Sequence, residues 1–389
     1  MTAWAVAGIS PAGASAATVP AVATAGAAAA APCEAWTGGQ QPPDPGGSDH
    51  NNFLRGVAVL SPCNAWAVGE YEPAQTLIAH WDGEAWTQVP SPNPGTEASL
   101  TAVSPVSPSD IWAVGEYFDG STNRTLTVHW NGAAWTQVPS PIVSGTTNDS
   151  LTAVRATSAT DVWAVGSYTN SNNVSQTLIL HWNGAAWTLV KSPNPGGPAR
   201  DQELDSVAGV SAKNAWAVGF YYNGSFDQSI ILHWNGTSWK QQKSPDQGSR
   251  GTFLFGVRAS SPSNAWAAGS SYNGTADKTL IVHWNGSAWK QVTTPNPGGS
   301  AQNNDLSSIA VTPKGDAWAA GEFATGTGMR TLVLHWDGSA WRREATPSLG
   351  DSVIDDSLTA IGASPDDSVW AVGNYYDGTA DQTLAIHCC

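Results

Sequence analysis

The chain has 389 residues, with 31 Asp and Glu against 16 Lys and Arg, a formal net charge of −15 and an isoelectric point near 4.7. That balance argues against a nucleic-acid backbone or an anionic membrane as partner. Only 12% of residues are charged while Gly and Pro number 40 and 25, so the expected surface is neutral and rich in hydroxyl and amide groups.

Residues 1–32 are almost entirely Ala, Gly, Val, Thr and Pro, without a charged side chain. A short apolar run at 4–9 precedes Ala14-Ser15-Ala16, a small-residue pattern of the kind found at signal-peptide cleavage sites. The positive region that normally opens a signal peptide is missing, since the first Lys or Arg is Arg55. The segment reads as a signal-peptide-like leader, or else a flexible Ala/Gly-rich one. No uninterrupted apolar span of about 18 residues argues for membrane insertion. With four cysteines, this leader points to a secreted, extracellular protein.

Beyond residue 33 the chain repeats. Trp-Ala-(Val/Ala)-Gly begins at Trp66, Trp112, Trp163, Trp216, Trp266, Trp318 and Trp370, at intervals of 46, 51, 53, 50, 52 and 52 residues. A fixed period of this size marks a solenoid, propeller or array. Each unit holds four short runs rich in β-branched and aromatic residues, which is strand character. In the second unit these are Ser99-Leu100-Thr101-Ala102-Val103, Ile111-Trp112-Ala113-Val114, Thr125-Leu126-Thr127-Val128-His129-Trp130 and Ala134-Trp135-Thr136-Gln137-Val138.

In six units an Asn-Gly or Asp-Gly pair, such as Asp82-Gly83, separates the third and fourth runs. A two-residue type I′ turn is expected there, placing Trp81 opposite Glu84 and Ala79 opposite Trp86. Both faces of the third run are largely apolar, so each small sheet must be covered on both sides. Two positions beyond its leucine, the first run carries only Gly56, Ala102, Ala153, Ser206, Gly256, Ser308 and Ala360. Strands converging on one axis leave no room for bulk there. The predicted fold is all-β: a seven-bladed β-propeller of four-stranded antiparallel blades over 33–389, read as a single domain.

The seventh unit stops at His387-Cys388-Cys389, before its hairpin turn and fourth strand. Cys33-Glu34-Ala35-Trp36-Thr37 matches Gly83-Glu84-Ala85-Trp86-Thr87, so an N-terminal strand is expected to complete blade 7, shared between about 33–40 and 356–389. Cys33, Cys63, Cys388 and Cys389 then gather at one seam. Four cysteines allow three pairings; the favoured arrangement joins Cys33 to Cys388 or Cys389, with the other of these reaching Cys63. Structural zinc is disfavoured, because the usual close-spaced cysteine pairs are missing.

His80, His129, His181, His233, His283, His335 and His387 recur once per unit, too far apart to cluster, and read as structural. Asn64, Asp110, Asp161, Asn214, Asn264 and Asp316 precede the motif Trp by two and read as turn-formers. The variable chemistry lies on the face where the chain approaches each first strand. Asp149, Asp201, Glu203, Asp305, Asp355 and Asp356 sit there. The loop between second and third strands adds Tyr117, Tyr168, Tyr222, Tyr272 and Tyr376. Carboxylates, amides and tyrosine rings on one face suit a glycan, and oxygen-rich loops also suit Ca²⁺.

The repeat resembles secreted bacterial β-propellers of the kelch and tectonin type, a resemblance of fold motifs that specifies little chemistry. Asp-Gly-x-x-Trp at 82–86 also looks like the Asp-box of sialidases, but it lacks one residue before Gly and the Ser two before Asp, and no arginine triad is evident. The expectation is a non-catalytic, monomeric binding or scaffolding propeller, without a resident cofactor, for a glycan or extracellular protein. Repeated, equivalent, shallow sites would follow. The alternative is a polysaccharide-acting hydrolase or lyase with carboxylates at the channel mouth, such as Asp355 and Asp356 with Asp305.

Overall fold

The motif glycine answers a bulge in the strand beside it. In blade 1 the inner strand (Asn52–Ser61) pairs antiparallel with the second (Asn64–Tyr71), and the register shifts between Leu54 and Gly56. The bulge presses the Phe53 carbonyl against Gly69: a Cβ there would lie 1.9 Å from that oxygen. At the other six motif glycines the same clash would occur at 2.0–2.1 Å. No other residue fits this backbone approach.

The structure, a computed structural model, describes residues 36–38, 41–143, 145–245, 250–312, 314–347 and 355–388. The leader at 1–32, Cys33 and Cys389 lie outside the described residues. Among the described residues there are 27 strands and no helix, so no helix is long and apolar enough to cross a membrane. Six sheets contain four strands paired in chain order. Blade 7 pairs three strands, Asp356–Ala363, Val369–Tyr376 and Asp381–Cys388. The architecture is a ring of seven antiparallel blades.

Each core joins two blades. Val68 and Ile78 of blade 1 pack with Leu100, Ile111, Leu126 and Val128 of blade 2, all essentially without solvent exposure. Each motif tryptophan inserts into the next blade. Trp163 lies against His181 of its own blade at 4.2 Å and meets Trp234 and Trp239 of blade 4 at 4.9 and 5.2 Å. Around the axis, the bulge hydroxyls of Thr101, Thr152 and Thr359 donate to the carbonyls of Leu151, Leu204 and Leu54 in the following blade, at 2.6–2.7 Å.

The segment at 36–38 lies against the free edge of blade 7. Thr37 and His387 exchange both backbone hydrogen bonds, at 2.8 and 3.1 Å. Trp36 is buried among Leu358, Ile361 and Ile386 and meets Trp318 edge-on at 5.7 Å. Asp44 Oδ1 accepts the Thr383 N–H at 2.8 Å, and the Pro42 carbonyl accepts its hydroxyl at 2.9 Å.

Two expectations are corrected. The hairpin turn is not a two-residue I′ turn, because Trp81 pairs directly with Trp86 across a four-residue connection. Asp82 Oδ1 accepts the N–H groups of Glu84 and Ala85, both at 2.9 Å, while Gly83 alone takes positive φ. The Asx side chain, rather than an Asx residue at positive φ, makes this turn. Cys63 is also exposed and carries a free thiol, so it does not pair with the other cysteines. Its side chain rests on its own blade's turn: a Cβ on Gly83 would lie 2.9 Å from Cys63 Cβ. Ser109 stands at the same place over Gly132 in blade 2. Cys388 is buried at the end of its strand.

Candidate functional site

The seven histidines serve the scaffold. Each lies against its motif tryptophan at 3.9–4.5 Å, stacked in the last three blades and tilted in the first four. His80, His129, His181, His233 and His283 also bond the Asx residue two before that tryptophan, at 2.7–3.1 Å. Burial pushes His80, His233, His283, His335 and His387 below the usual imidazole range.

On the mouth face, four of the acidic residues singled out from sequence bind backbone. Asp201 Oδ1 accepts the Ser175 N–H at 2.9 Å, and Asp355 Oδ1 accepts that of Met329 at 2.8 Å. Both bonds cross from one blade to the preceding one. Asn51 and Asn303 do the same with Asp381 and Asp277. Asp356 is buried and accepts the Thr331 N–H at 3.0 Å. Asp149, also buried, accepts the Val143 N–H at 3.4 Å and the Thr146 hydroxyl at 2.6 Å, and lies 3.8 Å from Arg124.

Glu203 and Asp305 stand one step further along their inner strands, part-exposed toward the mouth. Burial pushes the Glu203 carboxyl up, against a hydrogen bond from Ser175. Asp305 is likewise raised by burial, and it sits directly across from Glu322 in the second strand. Glu322 was not singled out from sequence. Burial, reinforced by Asp305, Asp355 and Asp356, pushes its carboxyl to about 7. The two carboxyls thus face each other across the strand pair, both raised.

The tyrosines divide. Tyr117 and Tyr168 pack against interblade cores, and Tyr117 also lines a cavity of about 120 Å³ with Glu70, Glu97 and Glu116. Tyr222 and Tyr272 are 39% and 40% exposed. Tyr376 is half-buried at the corresponding place in blade 7, opposite Asp381. Beside the two exposed rings, Arg200 and Arg250 lie over the neighbouring turns: a Cβ on Gly224 or Gly274 would come 2.9 Å from their guanidinium atoms.

Three phenylalanines complete this sector and were missed from sequence. Phe220 faces Glu203 across the strand pair and meets Phe253 of blade 5 edge-on at 5.1 Å; Phe253 in turn stacks with Phe255 at 5.8 Å. All three are half-buried. The available signal was Phe255 itself, which occupies the bulge position that carries Thr in blades 2, 3 and 7. Among the described residues, no three His, Cys, Asp or Glu side chains are arranged to hold a metal ion.

Fold and mouth together define a seven-bladed β-propeller with one aromatic and acidic sector. No family model and no curated protein matches the chain. Among solved structures it is similar to YCF48 bound to a D1 peptide, at 13% identity and a TM-score of 0.53, covering 91% of this chain and 96% of that one. It is also similar to YCF48 from Cyanidioschyzon merolae, at 14% identity and 0.52, covering 91% and 98%. A polysaccharide lyase, PL25 ulvan lyase bound to -[GlcA(1-4)Rha3S]-, is similar at 11% identity and 0.53, covering 90% and 94%. At these identities the likeness is one of fold.

Proposed function

We propose that this protein is a secreted, non-catalytic glycan-binding propeller whose binding surface is the mouth sector of blades 4 and 5. The observation that carries the reading is the Phe220–Phe253–Phe255 group beside Glu203, flanked by the exposed Tyr222 and Tyr272. Aromatic faces stack on the apolar faces of sugar rings. The carboxylate and the Asn-Gly turn amides supply hydrogen bonds to hydroxyls. Fold does not choose the ligand, since propellers host many functions and the similar structures hold a peptide in one case and an oligosaccharide in another.

The test is an array of immobilised neutral and acidic oligosaccharides probed with the full chain. The expected result is retention on a subset of sugars, weakened at least about tenfold by Phe253→Ala or Tyr272→Ala, the scale of one lost hot-spot contact. Failure to retain any sugar, or equal retention by both variants, overturns the reading.

The raised Asp305–Glu322 pair favours a second reading, a hydrolase or lyase with Glu322 as proton donor. Release of new reducing or unsaturated ends from a polysaccharide, lost in Glu322→Gln, would establish it in place of the first.

A further inference from the structure

The inner strands enclose a channel along the ring axis, with one cavity of about 250 Å³ and another of about 140 Å³. The side chain opposite each motif tryptophan belongs to one register column. Five blades fill it with Ala58, Ser104, Ala208, Ala310 and Gly362. Blades 3 and 5 place Arg155 and Arg258 there instead. Both line the larger cavity. The Arg155 stem leans toward blade 4, where a Cβ on Gly209 would lie 3.5 Å from its Cγ. Blade 4, between the two arginines, carries only Ala208 in this column.

Among the described residues, neither guanidinium has an ion-pair partner. Arg155 Nε is buried without a hydrogen-bond partner among the described residues, and Arg258 donates only to its neighbour's carbonyl, Val257 O, at 2.9 Å. The other charged groups lining the two cavities are Arg55 and Asp205. Arg55 is committed to Glu70 at 2.6 Å. Asp205 has a buried, unpartnered Oδ2 and forms no ion pair with either arginine among the described residues; burial, with Glu203 nearby, pushes its carboxyl well up. Burial and the Arg155 charge together push Arg258 down to about 10. Two like charges held together in a recess, in a chain with only 16 basic residues, carry a desolvation cost that an anion would offset.

We propose that Arg155 and Arg258 form an oxyanion site inside the channel, taking one carboxylate, sulfate or phosphate group. Guanidinium forks bind such groups in paired, charge-assisted hydrogen bonds. The site lies within the ring and stands whether or not the mouth sector binds glycans.

The experiment titrates the intact protein calorimetrically with sodium sulfate, inorganic phosphate and glucuronate, each against sodium chloride at matched ionic strength. We expect saturable one-to-one binding of at least one probe, weakened at least about tenfold in Arg155→Met and Arg258→Met, the scale of a lost charged hydrogen bond. Sulfate or phosphate binding without glucuronate supports a free ion; glucuronate binding alone supports a sugar-borne acid. Without anion, both variants should melt at or above the parent temperature, because one of two opposed charges is gone. Heats no different from chloride for all three probes, or equal binding by the variants, overturn the proposal. Should the variants not fold, wild-type crystals grown with selenate decide: anomalous signal between the two guanidinium groups supports the site, and signal at surface residues only overturns it.

Discussion

Replacing Trp36 by Ala tests how much the segment at 36–38 contributes to the ring. Trp36 is only 7% exposed. An aromatic side chain buries about 150–250 Å², which at about 25 cal/mol/Å² is about 4–6 kcal/mol as an upper bound. Trp→Ala replacements in cores cost about 3–5 kcal/mol. Trp135 is the internal control, because it holds the equivalent place in blade 2 and has two aromatic neighbours, Trp66 at 5.6 Å and Trp130 at 5.9 Å. Among the described residues Trp36 has one, Trp318, because the chain places Cys388 where blade 2 places Trp130. One aromatic pair is worth about 0.5–1.5 kcal/mol. Trp36→Ala should therefore cost about 3 kcal/mol and Trp135→Ala about 4 kcal/mol. Guanidinium unfolding followed by far-ultraviolet circular dichroism measures both. Hydrogen exchange in Trp36→Ala should rise first in Asp381–Cys388. A loss below about 1 kcal/mol for Trp36→Ala beside a full loss for Trp135→Ala would refute the reasoning, since the ring would then close without this packing.

Other outcomes follow from the same geometry. Gly166→Ala puts a Cβ 2.1 Å from the Ser150 carbonyl oxygen; it should cost about 3 kcal/mol in chemical denaturation, and a neutral result would mean that the bulge relaxes freely. Thr152→Val removes the hydroxyl donor to Leu204 O at 2.6 Å and should cost about 1–2 kcal/mol. Glu322 has a folded-state pKa raised to about 7 from 4.5, so the folded state prefers the protonated acid. Stability then falls as pH rises from about 4.5 to about 7 and stays lowered above that. Glu322→Gln should therefore gain about 1–2 kcal/mol at pH 8 and nothing at pH 4, after discounting the shift for solvent screening of a partly exposed group; a constant gain across that range would reject this. Cys63 should react with a thiol reagent in the native protein, as located by peptide mapping.

The scaffold was legible because its requirements repeat. A glycine under a bulge, a tryptophan between blades and a small residue at the axis each leave a column in the sequence. The turn type was not legible, because Asp-Gly satisfies both a two-residue I′ turn and a four-residue turn capped by the Asp carboxylate. Only register separates the two. The mouth was half legible. Asp201 and Asp355 stand out as polar approaches to first strands, yet their carboxylates face the preceding blade's backbone. The recurrence of Asn51 and Asn303 at the same place was the signal of a structural role. Glu322, Phe220 and Phe253 become visible only when each strand is set against its partner, and the bulge shifts that pairing by one residue.

Residues that obey a column hold the ring, and residues that break one are free to do something else. On the inner strands the charged or bulky breaks are Arg55 in blade 1, which is paired with Glu70, and four in blades 3, 4 and 5: Arg155, Asp205, Phe255 and Arg258. All four line the channel, and the exposed Tyr222 and Tyr272 stand on the same side of the ring. The proposed sites lie against the columns, whereas repeated, equivalent sites of a seven-fold lectin would lie within them. The asymmetry argues for one ligand per chain. A calorimetric stoichiometry near one is the expected outcome, and several equal sites per chain would return the binding surface to the repeating positions.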